Sequence, residues 1–186
     1  MVGIEQFKQD YYRKYATQFK FPIGIARCLE SPAVKWALFY RLHQNSPYGS
    51  ILRTFSGWKL HKYNRKYGLE IYSENIGSGF YIGHPHDVTI NKDVVIGKNC
   101  NVHKGVTIGA ENRGIRKGAP TIGNNVWIGV NATVVGKIKV GDDVLIAPNT
   151  YVNCDIPSHS LAFGNPCVVK EKDFATEDYI TNIIID

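Results

Sequence analysis

An apolar residue recurs every six positions through the middle of the chain, between residues 76 and 152. A period of six fits neither the 3.6-residue period of an α-helix nor the two-residue alternation of an ordinary strand. It is typical of a hexapeptide solenoid, in which stacked coils bury a continuous core. The residues expected to point inward are Ile76, Ile82, Ile90, Ile96, Val102, Ile108, Ile122, Ile128, Val134, Val140, Ile146 and Val152.

Glycine follows many of these apolar positions. A residue without a Cβ suits the corner of a coil, where a side chain would crowd the backbone. The repeat therefore predicts short strands separated by tight corners, with three six-residue units closing each triangular coil. The glycines are Gly77, Gly83, Gly97, Gly109, Gly123, Gly129 and Gly141.

The six-residue register breaks twice. The step from Ile82 to Ile90 is eight residues, which is one six-residue unit with two extra residues. The step from Ile108 to Ile122 is fourteen residues, which is two units with two extra residues. The register resumes cleanly after both breaks. Because insertions in solenoids collect in loops, often on the binding face, the two breaks are predicted to form functional loops.

The region before the repeats carries helical patterns. Aromatic residues at a spacing of four predict a helix over residues 4–19, and the "FPIG" segment ends it. Ser31 as N-cap and Pro32 as first helical residue open a second helix. A third helix is expected from about residue 50 to Tyr67.

The chain is predicted to have three parts. Residues 1–68 form an α-helical lobe that covers the open backbone edge of the first coil. Residues 69–170 form the solenoid domain, and residues 171–186 form a C-terminal tail with a short helix at 173–182. The fold class is mainly β, a parallel β-helix with an N-terminal helical lobe.

Charge is distributed unevenly along the chain. Up to Gly68 there are twelve Lys/Arg and three Asp/Glu, a balance of +9, whereas the remainder carries −3. This lobe is interpreted as a solvated helical surface or as a face for a membrane or lipid-linked substrate. No nucleic-acid motif is present, so nucleic acid is not expected as a partner.

Composition also restricts location and metal content. The start of the sequence is charged from residue 5 and predicts no signal peptide, and no apolar run reaches the roughly 18 residues of a membrane span. Four scattered cysteines lack the spacing of a metal site, so reduced thiols, a cytoplasmic location and no bound metal are expected.

The segments "EIYSENIGSGFYIGH", "VHKGVTIG", "APTIGNNVWIG" and "IPSHSLAFGNP" resemble the serine acetyltransferase branch of the hexapeptide acyltransferases. Within that branch, the chain is identified as similar to short capsule and exopolysaccharide enzymes of the colanic-acid type. The resemblance implies a left-handed parallel β-helix and a homotrimer. It also implies acetyl-CoA as co-substrate, bound between neighbouring solenoids.

The resemblance also implies a site. The family's catalytic histidine falls on His84, and the acid that orients it falls on Glu70. Charged positions that in the family help to hold serine's carboxylate and ammonium groups fall on Gly83, Gly118 and Ala119, which carry no polar side chain. The expected acceptor is therefore a hydroxyl of a surface-glycan precursor, with serine as the alternative.

A histidine is suited to this reaction. The acetyl group of a thioester is already activated, so a neutral imidazole need only take the proton of the acceptor hydroxyl. A carboxylate behind the ring would fix its tautomer. Coil register places His103 beside Gly83, and so near His84, where it is interpreted as an acceptor-binding residue, as the base itself or as a surface residue without a role. His86 is expected to be structural.

Small and basic residues are the candidates for acetyl-CoA binding. Small residues suit close passage of the pantetheine arm, and basic residues suit the CoA phosphates. These candidates are Gly109, Ala110, Gly129, Val130, Arg116, Lys117 and Lys170.

Two other function classes share the repeat pattern. One is a non-catalytic solenoid for assembly or ligand binding. The other is a γ-carbonic-anhydrase-like metal enzyme, for which His84, His86 and His103 are the available histidines.

Overall fold

The computed structural model describes residues 2–185, and in that range four helices precede fifteen short strands. The helices are α1 (Val2–Tyr15), α2 (Ile23–Glu30), α3 (Pro32–Gln44) and α4 (Ile51–Tyr67). The strands wind into three sheets, in which strands three apart in sequence are parallel neighbours as far as the thirteenth strand.

The first sheet contains β1 (Leu69–Ile71), β4 (Val88–Ile90), β7 (Thr107–Gly109), β10 (Thr133–Val135) and β13 (Tyr151–Val152). The second contains β2 (Asn75–Ile76), β5 (Val95–Ile96), β8 (Thr121–Ile122) and β11 (Lys139–Val140). The third contains β3 (Tyr81–Gly83), β6 (Asn101–His103), β9 (Val126–Ile128), β12 (Val144–Ile146), β14 (Ser160–Phe163) and the antiparallel β15 (Val168–Glu171). At the end of the third sheet, β14 lies beside β12, and β15 pairs with β14 in the antiparallel direction.

The repeated apolar residues stack as expected. In the third sheet, Ile82 lies opposite Val102, Val102 opposite Ile128, and Ile128 opposite Ile146. All four are buried. Since full burial of one such side chain stabilises a fold by about 1.5–3 kcal/mol, this column accounts for much of the solenoid's stability. The sequence-based prediction of a mainly parallel β-solenoid with a helical N-terminal region is confirmed.

Close stacking of coils explains the repeated glycines. A Cβ on Gly77 would lie 2.6 Å from the carbonyl carbon of Gly97, and a Cβ on Gly97 would lie 2.6 Å from the oxygen of Gly123. These distances are too short for real Cβ contacts. The neighbouring coil's backbone, as well as the corner itself, therefore requires glycine there.

The helical lobe differs from the prediction in two respects. Helix α1 ends at Tyr15, short of the expected residue 19, and α2 was not predicted because "FPIG" was interpreted only as a break. Helices α3 and α4 agree with the helices that were predicted from the sequence. The hydroxyl of Ser31 accepts from the Val34 N–H at 3.4 Å, and Gly68 ends α4 in the left-handed region at φ 65°.

The prediction of a short helix at residues 173–182 is wrong. The segment forms turns, in which Phe174, Asp178 and Asn182 have positive φ angles that a right-handed helix does not accommodate. Residue 186 of the predicted tail lies outside the described residues.

A buried ion pair joins the lobe to the first coil. Arg41, fully buried, donates to both carboxylate oxygens of Asp10 at 2.7 and 3.1 Å and to the carbonyls of Ile76 and Gly77, each at 2.6 Å. Asp10 also accepts from the Phe80 N–H at 3.0 Å. The lobe thus satisfies backbone groups that would otherwise be left unpaired at the solenoid's end.

Within residues 2–185, no helix combines the length and the apolar character needed to cross a membrane.

Candidate active site

The first insertion forms a loop that presents His84. His84 and Asp87 both have positive φ angles, 56° and 54°, so the chain turns sharply at each end of the loop. The Asp87 N–H donates to the Tyr67 carbonyl at 2.8 Å, and the Gly105 N–H donates to the His86 carbonyl at 3.1 Å. The loop is therefore tied to the end of α4 on one side and to the next coil on the other.

The side chains in this loop have different environments. The side chain of His84 is exposed, which leaves its imidazole open to a ligand. The ring of His86 packs edge-on against Tyr67, with 5.3 Å between ring centroids. The contact with Tyr67 supports a structural role for His86.

His103 lies where the coil register predicted. It pairs with Gly83 across β3 and β6, and its ring covers Gly83 so closely that a Cβ there would lie 2.5 Å from the ring. Burial, and secondarily the charge of the nearby His84 imidazole, lowers the pKa of His103. His103 is therefore held in its neutral form further into the acid range than a free histidine. The two imidazoles are thus near enough to interact electrostatically.

The Nε2 atom of His103 is buried and has no hydrogen-bond partner among residues 2–185. An unpaired buried nitrogen in a polar site is costly, and such groups are expected to have a partner in the working protein.

A polar cavity of about 190 Å³ lies beside His103. The ring of Trp127 lies 4.7 Å from that of His103, and Tyr179 packs against Trp127 at 5.0 Å. Arg13 and Lys14 of α1 bring positive charge to the same cavity. The cavity thus joins residues from the lobe, the solenoid and the tail.

Each cation at the cavity is held in place. Arg13 is buried and donates to the carbonyl of Gly79 at 3.1 Å and to the side-chain oxygen of Asn101. Lys14 donates to the Ser31 hydroxyl at 2.6 Å, and burial lowers its pKa. Neither forms an ion pair with a carboxylate in the described part of the chain, although the Asp10 carboxylate acts electrostatically on Arg13.

An acidic residue positions the tail that carries Tyr179. The carboxylate of Asp143 accepts from the backbone N–H groups of Ala175 and Thr176 at 3.1 and 3.0 Å and contacts His159 Nδ1 at 2.9 Å. These contacts fix the turn just before Tyr179. They assign His159 to tail anchoring.

Glu70 lies on β1 opposite Thr89, near the loop but exposed. Among the described residues, it makes no hydrogen bond or ion pair with His84. The structure therefore does not join these two side chains, and the orienting role of Glu70 stays a prediction.

The small residues expected at the acetyl-CoA site have different surroundings. A Cβ on Gly109 would meet only Val135 at 3.5 Å and Thr107 at 3.9 Å, so the backbone there is open to a ligand. Ala110 follows it and is half-buried. A Cβ on Gly129 would lie 2.6 Å from the backbone of Pro148.

Close stacking of coils is therefore sufficient to explain the glycine at Gly129. Its neighbour Val130 is half-buried. Of the two glycines, Gly109 has the geometry that leaves room for a pantetheine arm.

The second insertion forms an exposed loop. Glu111 and Gly118 exchange backbone hydrogen bonds of 3.0 and 2.9 Å across its base, and Arg116 pairs with the Glu111 carboxylate at 3.2 Å. Ile115 at its tip is 97% exposed. Lys117 on this loop is exposed and remains a candidate for phosphate binding.

Lys170 lies on β15, where it is exposed and lies over the ring of Phe163 at 5.6 Å. It also remains a candidate for phosphate binding. Across residues 2–185, no cluster of three or more His, Cys, Asp or Glu side chains could hold a metal ion.

Sequence reasoning missed three neighbours of His103. Trp127 lies opposite Asn101 in the next coil, so the coil register could have identified it. Arg13 and Tyr179 could not be found that way, because they arrive from helix α1 and from the tail through tertiary packing.

Family comparisons match the repeats. Residues 87–111 match the model described as the hexapeptide repeat of succinyl-transferase, and residues 119–154 match bacterial transferase hexapeptide (six repeats). Both matched stretches lie within the solenoid and coincide with its six-residue repeats.

Among curated proteins, a serine acetyltransferase of Helicobacter pylori is 39% identical over 107 residues, which cover 57% of this chain and 63% of that protein. Serine acetyltransferase 4 of Arabidopsis thaliana is 30% identical over 131 residues, covering 64% of this chain and 37% of that protein. The chain spans less than two thirds of the length of these relatives.

Solved structures agree with the fold. Serine acetyltransferase isoform 3 of Entamoeba histolytica, in complex with cysteine, superposes with a TM-score of 0.69 at 28% identity, covering 88% of this chain and 58% of that one. The serine acetyltransferase of Neisseria gonorrhoeae gives a TM-score of 0.75 at 21% identity, covering 92% and 68%. The solenoid with its helical region is thus similar in fold to solved serine acetyltransferases.

Proposed function

We propose that this chain is an acetyl-CoA-dependent O-acetyltransferase whose general base is His84. The observation that carries the proposal is the exposed His84 near His103, which itself lines a cavity containing two cations, on a solenoid similar to serine acetyltransferases. A non-catalytic solenoid has no need of this arrangement.

The chemistry required of the chain is a proton transfer. The exposed imidazole of His84 takes the proton of the acceptor hydroxyl as the hydroxyl attacks the thioester carbonyl, and it can return that proton to the departing thiolate. Such general-base catalysis contributes typically about 10²–10⁴-fold. His103, held neutral by burial, is proposed to position the acceptor beside His84.

The acceptor is proposed to be L-serine or a close hydroxy amino acid. This revises the expectation of a glycan acceptor, because the similar proteins described above carry the name serine acetyltransferase and give no support to a closeness with capsule enzymes. Gly83, Gly118 and Ala119 supply no charge for a carboxylate. Arg13 and Lys14 offer positive charge from a different element, helix α1.

Acetyl-CoA is proposed to bind along the open backbone at Gly109 and Ala110. Lys117 and Lys170 are exposed and suited to the CoA phosphates, whereas Arg116 is already paired with Glu111. A homotrimer with the site between neighbouring solenoids is proposed as the assembly. Sedimentation of a stable monomer at micromolar concentration would contradict the trimer and this placement of the site.

The experiment is an acceptor comparison. Thiol release from acetyl-CoA is measured with L-serine and, separately, with a panel of sugar nucleotides and oligosaccharides. We expect turnover with serine at submillimolar concentration and little with the sugars. Turnover with the sugars alone would restore the glycan acceptor, and no turnover with either would contradict the proposed activity.

A variant tests the carboxylate partner. Because a charge-assisted hydrogen bond contributes about 1.5–3 kcal/mol, Lys14→Ala is expected to raise KM for serine roughly tenfold or more with a smaller change in kcat. Lys8→Ala, on the same helix but outside the cavity, is the matched control and should leave KM unchanged. An unchanged KM in Lys14→Ala would remove Lys14 from the acceptor site.

A further inference from the structure

A large apolar groove lies in the helical lobe, and it shares no lining residue with the cavity beside His103. It has a volume of about 770 Å³, within the range of about 300–1,000 Å³ that ligand pockets occupy. All four helices or their connections contribute to it. Its apolar lining includes Phe7, Phe19, Leu38, Phe39 and Tyr63.

Lysines surround the groove. They are Lys8, Lys35, Lys59, Lys62 and Lys66, and no Asp or Glu lines the groove. Lys8 pairs with Glu5 at 2.6 Å, but the other four form no ion pair with any residue between 2 and 185. An apolar interior with an uncompensated cationic rim is complementary to a molecule with an apolar chain and an anionic head.

The rim also exposes large apolar side chains. Leu29 is 65% exposed and Trp58 is 49% exposed. The ammonium groups of Lys62 and Lys59 lie 3.9 and 5.0 Å from the centroid of the Trp58 ring. Exposed tryptophan beside lysine is typical of surfaces that meet the headgroup region of a membrane.

We infer that the lobe docks on an anionic membrane, with an acyl chain of an anionic phospholipid in the groove and its phosphate among the rim lysines. A second copy of the same groove would bring two cationic rims face to face, and their repulsion opposes that occupant. The inference is independent of the proposed acetyl transfer.

The test is co-sedimentation with vesicles of phosphatidylcholine alone and of phosphatidylcholine mixed with phosphatidylglycerol. We expect binding only to the mixed vesicles, with a blue shift of tryptophan emission that is lost in Trp58→Phe. Lys62→Ala should weaken binding about fivefold, as expected for one lysine at an anionic surface. Leu29→Gln should weaken binding with no change in net charge.

Matched controls separate the groove from general electrostatics. Lys139→Ala removes an exposed lysine from the far end of the solenoid, and Ile115→Gln removes an exposed apolar side chain from the second insertion. Both should bind like the unsubstituted protein, and circular dichroism verifies folding of each variant.

Three results would overturn the inference. One is an equal loss of binding in the control variants, and another is equal binding to vesicles without phosphatidylglycerol. The third is that the unsubstituted protein does not bind vesicles but self-associates, and that Leu29→Gln abolishes the self-association. This result would assign the groove to a second copy of the chain.

Discussion

The solenoid and the helical lobe bury their residues by different means. The solenoid core consists of apolar residues stacked from coil to coil, among which Ile90, Ile108 and Ile128 are fully buried. The lobe buries charge as well, with Asp10 and Arg41 paired against the edge of the first coil. A repeating unit can be stabilised by stacking on its own copies, but its first coil has no preceding copy and needs polar groups that match its backbone.

The largest effect expected in this comparison comes from breaking the buried pair. Arg41→Ala should lower the free energy of unfolding by about 3–5 kcal/mol, because it leaves the Asp10 carboxylate buried and uncompensated. Chemical denaturation at fixed protein concentration measures the loss. Arg65→Ala, which removes an exposed arginine from α4, is the control and should change little. A loss below about 1 kcal/mol would mean that water reaches the pair.

A cavity in the apolar column should cost slightly less. Ile108→Ala is expected to destabilise by about 2–5 kcal/mol, because stacked coils above and below restrict collapse around the missing atoms. Val95→Ala serves as the control, since Val95 is 42% exposed. Denaturation measures both variants. Similar losses in the two would contradict the claim that the buried core residues stabilise the solenoid more than its exposed side chains do.

Removing a helix cap should have the smallest effect. Ser31→Ala loses the bond from the Val34 N–H and the bond from Lys14, and about 1 kcal/mol is expected. Thermal unfolding of Ser31→Ala beside Ser31→Thr measures it, since threonine retains the hydroxyl. If both variants lose the same stability, the hydroxyl is not the cause.

The sequence predicts the two regions unequally well. In the solenoid, the period of six predicts which residues lie opposite each other on neighbouring coils, such as Ile82 and Val102. It does so because every coil repeats the same pattern of strands and corners. In the lobe, α2 escaped prediction and α1 is shorter than expected, since no repeat constrains helices whose ends depend on tertiary packing. The tail was predicted helical, but Asp143 holds it in turns.

The candidate site follows the same division. His103 beside Gly83 was predictable from coil register, because both lie in the repeat. Arg13 and Tyr179 were not, because they reach the cavity from outside the repeat. The glycan acceptor was inferred from three missing side chains, and the similarity to serine acetyltransferases gives that inference no support.

The central claim is that His84 is the general base, and turnover of the His84→Ala variant tests it most directly. We expect a loss of about 10²–10⁴-fold in kcat with little change in acetyl-CoA affinity, because the imidazole acts on the acceptor's proton. Glu70→Gln should lose less. His84→Ala with near-normal turnover, beside an inactive His103→Ala, would contradict the account and make His103 the base.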